Sequence, residues 1–411
     1  MSRSRPAPDA EARNARHLRQ LNTQRILSVA MERTEPFTRA ELTAATELSA
    51  PTVGTLAQAL IREGLIRDLG AGPSRGGRRP AFMEFNARHG FVAGISMGAT
   101  RTRLAVADLR GERVAHRVLP TPGGLGPSGL LSRLAGDVRS LLDEAGVRRE
   151  RLLAVAAGAP GAVDRARGTV MALAPNLQGW SNVPMAAILS EATGAPVVVD
   201  NDVNLAILGE RWRGAARGHE NCVFIHAGSG IGAGIVVDGE LHRGHHSLAG
   251  EIGLMSMAPE HVGQDFGARG CLETLASLKG LAGRWGGANG GEREGWLVEL
   301  FECARAGDRA ARKAIQETAT LLGMAVANLS LVLDPSLVVL GGALFDQGGD
   351  FGSEVRRIVA RIIPSPPEMV TSALGKEATL WGALLVAMNE ARARLRRGLA
   401  AAHARRARLA R

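Results

Sequence analysis

Phe224-Ile-His-Ala-Gly-Ser-Gly-Ile-Gly-Ala-Gly234, running on into Ile235-Val-Val-Asp-Gly239, decides how the rest of this chain is read. An apolar strand, Val223 to His226, enters a turn with glycine at 228, 230, 232 and 234, then leaves as a second strand, Ile235 to Val237. Glycine lets the backbone turn and approach closely without a Cβ, and successive N–H groups in such a turn form a nest for phosphate. The competing reading is a hairpin whose glycines serve packing alone.

Upstream lies Val197-Val-Val-Asp-Asn-Asp-Val-Asn-Leu205, an apolar strand ending in Asp200-Asn201-Asp202 with Asn204 positioned to cap a helix. Polar groups at the carboxyl end of a buried strand are where α/β folds place ligand chemistry, and Asp202 has the character of a general base for a hydroxyl. Further upstream, Gly94-Ile-Ser-Met-Gly-Ala-Thr-Arg-Thr-Arg103 before Leu104-Ala-Val-Ala-Asp-Leu-Arg-Gly111 reads as strand, small-residue turn, strand. It is similar to the phosphate hairpin of actin-like kinases, with Gly98 and Thr100 in the turn beside Gly228, Gly230 and Gly232 of the second element. Those kinases carry an aspartate where Ser96 stands; without that charge the metal and its water lose their organiser. Further buried strands are expected at Leu152–Ala156 and Leu337–Leu340, and helices at Leu130–Glu144, Pro184–Thr193, Asn204–Trp212, Arg309–Leu333 and Leu380–Arg397. Alternating strands and helices over this length predict an α/β fold of two lobes with a cleft between them.

The segment before Phe91 is different. Leu21, Ile26, Leu27 and Val29 have helical spacing; Thr38 with Glu41 forms a capping box; Ser49 and Pro51 open a third helix whose stripe is Val53, Leu56, Leu60 and Ile61, ended at Gly64. Strand, glycine–arginine loop and strand follow over Leu65–Phe85, completing a winged helix-turn-helix. Ser49, Thr52, Thr55 and Gln58 lie opposite the stripe, where a recognition helix meets base edges and phosphates. Arg75, Arg78 and Arg79 crowd the wing, able to reach phosphates or a narrow minor groove. A small dimerisation cap is the blander alternative.

Composition supports this reading without proving it. The 411 residues call for two or three units, and a net charge of +10 suits an acidic partner such as nucleic acid, although an arginine-rich, tyrosine-free chain also reflects base composition. Three scattered cysteines, Cys222, Cys271 and Cys303, form no disulfide framework, so a cytoplasmic setting is expected. No run of eighteen apolar residues occurs, so no membrane span is expected. The expected division is a disordered basic arm over 1–20, the winged helix-turn-helix over 21–88, the two-lobed domain over 89–390 with its lobes parting near 200, and a basic tail over 391–411 with eight arginines and no acid.

Ordered along the chain stand Gly76-Gly-Arg-Arg-Pro80, Gly158-Ala-Pro-Gly-Ala-Val-Asp164, Asn176-Leu-Gln-Gly-Trp180, Asn201-Asp-Val-Asn204, the glycine element, Ala249-Gly-Glu-Ile-Gly253, Gly270-Cys-Leu-Glu273, and Asp334-Pro335 before Leu340-Gly-Gly342. With these motifs the chain resembles the ROK family (repressors, open reading frames and sugar kinases), specifically its regulator branch, over residues 20–390. The resemblance implies an actin-like sugar-kinase fold with ribonuclease-H-like lobes, and a sugar held by Asn176, Asn201, Asp202, Glu251 and Glu273. It also implies a zinc site that this chain departs from. Leu254 stands where the family has a histidine, and Gln264 and Phe266 replace two cysteines, leaving Cys271; His245, His246 and His261 do not restore the spacing. No metal, no zinc cofactor and no use of ATP are therefore expected, Asp202 being a vestigial base.

Together these residues predict a sugar-responsive transcriptional regulator of carbohydrate metabolism, expected to be a repressor, acting as a homodimer or dimer of dimers on a palindromic operator in double-stranded DNA. The rivals are an active sugar kinase with a DNA-binding appendage, and a regulator with a vestigial pocket whose signal is a protein.

Overall fold

The computed structural model describes residues 8–71, 81–122, 124–172, 179–286, 295–347 and 349–409. The chain opens with α1 (Pro8–Glu32), β1 (Phe37–Thr38), α2 (Arg39–Thr46), α3 (Ala50–Arg62), β2 (Ile66–Ala71) and β3 (Ala81–Phe85). The helix begins at Pro8, so residues 8–20, expected as a disordered arm, are helical here. Thr38 caps α2 as its spacing demands. Its hydroxyl accepts from the Glu41 amide at 3.2 Å while the Glu41 carboxylate accepts from the Thr38 amide at 2.6 Å, a box worth about 1 kcal/mol. These bonds hold the Glu41 carboxyl below its ordinary value. Val53, Leu56, Ala57 and Leu60 bury one face of α3, and Gly64 takes φ +73° just after it, a conformation that favours glycine. β3 is central in an antiparallel sheet ordered β1-β3-β2. The loop between β2 and β3, with Arg75, Arg78 and Arg79, lies outside the described residues.

Two five-stranded sheets follow. The first comprises β4 (Phe91–Met97), β5 (Arg101–Asp108), β6 (Arg113–Pro120), β7 (Leu152–Ala159) and β10 (Val197–Asn201), with α4 (Pro127–Glu144), the hairpin β8 (Ala162–Asp164) and β9 (Thr169–Ala172), and α5 (Met185–Thr193) in its connections. After α6 (Asp202–Arg213), the second comprises β11 (Cys222–Ala227), β12 (Ile231–Val237), β13 (Glu240–His242), β14 (Leu337–Gly341) and β15 (Glu368–Thr371). Its helices are α7 (Gly270–Ala276), α8 (Leu278–Gly286), α9 (Trp296–Ala306), α10 (Arg309–Leu333) and α11 (Gly349–Ile362); α12 (Ala378–Leu409) closes the chain. The orders are β10-β7-β4-β5-β6 and β13-β12-β11-β14-β15. In each sheet the first strand pairs antiparallel with a meander on one side and parallel with later strands on the other. The two lobes thus repeat one topology, as a kinase-like fold requires.

The buried strands have the expected near-continuous apolar character: every residue of β4 and β14 is buried. Among the described residues, α10 alone is long and apolar enough to cross a membrane, yet it buries Leu322, Ala325 and Val326 in the core of the second lobe. α12 returns to the first lobe, packing on β4, β7, α6 and α1. Ile26, Leu27 and Leu60 of the N-terminal unit share one apolar core with Val92, Leu384 and Met388. Polar bonds reinforce the joint: Gln24 Nε2 donates to the Arg396 carbonyl at 3.0 Å, and Arg392 Nη2 to that of Leu109 at 2.7 Å.

Candidate functional site: a carboxylate-lined cleft

β10 delivers its last residues to the start of α6, at the carboxyl end of a parallel strand. The cap of α6 is Asn201, which corrects the expectation for Asn204: the Asn201 Oδ1 accepts from the amides of Val203 at 2.8 Å and Asn204 at 3.1 Å. A side chain in extended backbone just before the helix reaches those amides, whereas Asn204 is already inside the first turn. The Asn201 amide also donates to the Gly161 carbonyl at 3.0 Å, tying the β7–β8 turn to the site. Asn204 is buried with its Oδ1 unpartnered.

Asp202 sits in the first turn of α6, its Oδ1 accepting from its neighbour Val203 at 2.9 Å. Burial pushes its carboxyl up to about 7, with Glu273 adding repulsion. Glu251, held before a short 3-10 turn at Ile252–Leu254, is likewise pushed up to about 7, by burial first and then by Asp202 and Glu273. Glu273 on α7 is raised by burial, opposed by a 3.0 Å bond from the Ile231 amide to its Oε2. Its Oε1 has no hydrogen-bond partner, and Arg269 Nε lies 3.9 Å away. Three carboxylates from two lobes therefore repel one another across one volume, as acceptors without enough donors. Asn176 lies outside the described residues.

The glycine element forms the wall behind them. A Cβ on Gly230 would come 3.2 Å from Glu273 Oε2, and one on Gly234 would stand 2.6 Å from the Val203 carbonyl. Gly250, in the Gly-Glu-Ile-Gly motif, has φ +93° and its Cβ would be 2.0 Å from the Ala233 carbonyl, so only glycine places Glu251 here. Close packing against Glu273, Val203 and Ala233 requires glycine at 230, 234 and 250. Ser96 is buried on β4 opposite Gly158, and the Gly98 amide donates to the Arg101 carbonyl at 3.1 Å. His226, beneath the turn, is forced down to about 4 by burial and is neutral.

The donor set does not fit a zinc ion. Leu254 is 41% exposed and carries no donor, Gln264 Nε2 donates to the Glu260 carbonyl, and the Phe266 ring packs edge-on to His261. What survives is a pair, Cys271 Sγ 3.2 Å from His261 Nδ1. Among the described residues no group of three His, Cys, Asp or Glu could hold a metal.

Two features escaped sequence reasoning. Asp200, 2% exposed, receives Arg243 Nη2 at 2.6 Å and Nε at 3.2 Å, so the second lobe grips the end of β10. Thr379 at the start of α12 donates to the Asp202 carbonyl at 3.0 Å across 177 residues. Nothing in the local sequence marks either; the triplet Asp200-Asn201-Asp202 was the only available signal. On the N-terminal unit, Ser49, Thr55 and Gln58 are exposed along α3 and Thr52 is half-buried, with the Ser49 and Thr52 hydroxyls 2.9 Å apart.

Two lobes of repeated topology around a carboxylate cleft define the class, a sugar-kinase-like α/β protein. The chain belongs to the ROK family, whose model matches residues 92–390. It is 29% identical to the xylose repressor of Caldicellulosiruptor bescii over 83% of this chain and 88% of that protein. A ROK family glucokinase from Streptomyces griseus, solved with glucose and AMPPNP, is 29% identical with a TM-score of 0.62, covering 73% of this chain and all of that one. A ROK family transcriptional regulator, a homologue of the E. coli MLC protein, aligns with a TM-score of 0.74 over 93% of this chain and 99% of its own at 24% identity, a likeness of fold.

Proposed function

We propose that this protein is a sequence-specific, DNA-binding transcriptional repressor of carbohydrate metabolism that senses a sugar or sugar derivative through a kinase-like domain without catalysis. The observation that carries the reading is the joint: a helical unit with an exposed polar face on α3 shares its core and α12 with lobes whose cleft presents three carboxylates. Relatives named as xylose repressors over most of their length support the same reading.

In this reading residues 21–88 form the winged helix-turn-helix, residues 89–390 the sensor, and two copies on a palindromic operator set recognition helices about 34 Å apart. Ser49, Thr52, Thr55 and Gln58 meet the major groove; Arg75, Arg78 and Arg79 meet phosphates or the minor groove. Asn176, Asn201, Asp202, Glu251 and Glu273 hold the sugar, and the protein works in the cytoplasm without zinc or ATP. Ligand hydroxyls would satisfy the unpartnered Glu273 and Asn204 oxygens and draw the lobes together, changing the angle at which α12 presents the N-terminal unit.

A kinase is the alternative, favoured by the glucokinase relatives and by Asp202; Ser96 opposes it. Genome-wide selection of bound fragments, with and without sugars, tests the main reading: a palindromic consensus released by a sugar is expected, and sugar-independent, sequence-indifferent binding overturns it. Arg78→Ala with Arg79→Ala should flatten the salt dependence of binding by up to about two units of slope, and an unchanged slope removes the wing from the interface.

A further inference from the structure

A cavity of about 500 Å³ opens between the β8–β9 hairpin and the loop that leads into Glu251, lined by Ala162, Asp164, Met171, His245, His246, Ser247 and Leu248. We infer that this cavity is a subsite for a second, uncharged sugar unit, so that the effector is a disaccharide or another neutral glycoside rather than a free monosaccharide or a sugar phosphate. The inference rests on the carboxylate cleft being a sugar site and extends it.

Continuity is the first argument. Each wall of the cavity is bonded to a cleft residue: the Gly161 carbonyl beside Ala162 receives Asn201 Nδ2, and the Leu248 carbonyl receives the Glu251 amide at 3.1 Å. A ring seated against Asn201 and Glu251 therefore has the cavity at its edge. The Arg243–Asp200 contact braces the loop just upstream, and the Ala249 amide bonds back to the Arg243 carbonyl at 3.1 Å, so the far wall has a fixed position. Ser247 holds a left-handed φ of +57° within it.

Chemistry is the second. A sugar ring offers C–H faces and a rim of hydroxyls, and so needs an apolar floor edged by acceptors and donors. Met171, Ala162 and Leu248 supply the first. Asp164, Ser247 and the two imidazoles supply the second, His245 and His246 standing edge to face at 4.5 Å between ring centroids. Among the described residues the lining contains one carboxylate, Asp164, and neither lysine nor arginine; Arg167 Nε lies 3.7 Å from that carboxylate and offsets its charge, so the pair suits an uncharged ligand better than a phosphate. The volume lies in the range of small-ligand sites.

Calorimetry on the full chain tests this, with xylose, glucose, xylobiose, cellobiose and glucose 6-phosphate as probes. At least one disaccharide should bind tenfold or more tightly than its own monosaccharide. His245→Ala with His246→Ala should cut that disaccharide to the monosaccharide's affinity while leaving the monosaccharide unchanged. Leu248→Trp, which fills the cavity, should do the same by bulk. Monosaccharide binding with no disaccharide advantage, an advantage that survives both variants, or tightest binding of glucose 6-phosphate would each overturn the subsite while leaving the sugar site standing. Silence with every sugar would remove the sugar site itself, and the subsite with it.

Discussion

At the turn between β4 and β5 the cleft presents a buried serine and a short backbone bond; at the turn between β10 and α6 it presents an amide cap and the first of three mutually repelling carboxylates. Both turns end strands of the first lobe, and both belong to the machinery that a kinase would use. On the reading proposed above, Ser96 leaves the first turn without a charge to organise a metal ion, whereas the second turn keeps acceptors that are costly to bury unpaired, by about 1–3 kcal/mol each. That reading makes recognition and transfer separable in this fold, one side decaying while the other is retained.

The sharpest way to break that comparison is at Asp202. Asp202→Ala should weaken sugar binding by about a hundredfold or more, close to 3 kcal/mol on the scale of 1.4 kcal/mol per tenfold, measured by calorimetry. The wild-type protein given ATP and magnesium should phosphorylate no sugar. Turnover that Asp202→Ala abolishes would erase the distinction between the two sides.

Protons offer a second test. Glu251 has its carboxyl raised to about 7, above its value in the unfolded chain, so the folded state holds its proton more tightly. Stability from this group is fully present below the unfolded value near 4 and is lost as pH rises through about 7. Glu251→Gln should therefore raise the melting temperature by a few degrees at pH 8 and change it little at pH 4, by calorimetric scanning; equal shifts at both values would mean that burial does not raise this acid. Sugar binding, which uses the ionised acceptors, should tighten over the same rise in pH. The smallest effect is expected at Thr379. Thr379→Val removes one bond to the Asp202 carbonyl, worth about 1 kcal/mol, and should weaken sugar binding roughly fivefold. A variant with unchanged affinity would detach α12 from the sugar side.

Much of the architecture was legible because its causes are local. Apolar runs gave β4, β7, β11 and β14; the Thr38–Glu41 box and Gly64 bounded two helices; and Arg309–Leu333 matched α10 at both ends. β6 and the short strands β8, β9, β13 and β15 went unread, since their pattern depends on which face a partner covers. Residues 8–20 looked too polar to hold structure, yet α1 extends through them. In the cleft, the strand-end pattern marked Asp202 and the family resemblance implied Glu251 and Glu273, but Arg243 and Thr379 reach it only through tertiary contacts. The sequence pattern offers Asn204 as the cap, whereas backbone geometry selects Asn201.

The seat of α1 on α12 has a consequence for how the protein comes into being. Gln24 and its partner Arg396 are 372 residues apart. At about 5–20 residues per second, the ribosome adds the second roughly 20–75 s after the first. The N-terminal unit is made first and mounted last. Until α12 emerges, the apolar core that Ile26 and Leu27 join lacks Leu380, Leu384 and Met388, so a nascent chain carries its N-terminal helices unmoored from the C-terminal part of that core. Premature termination would release fragments in that same condition.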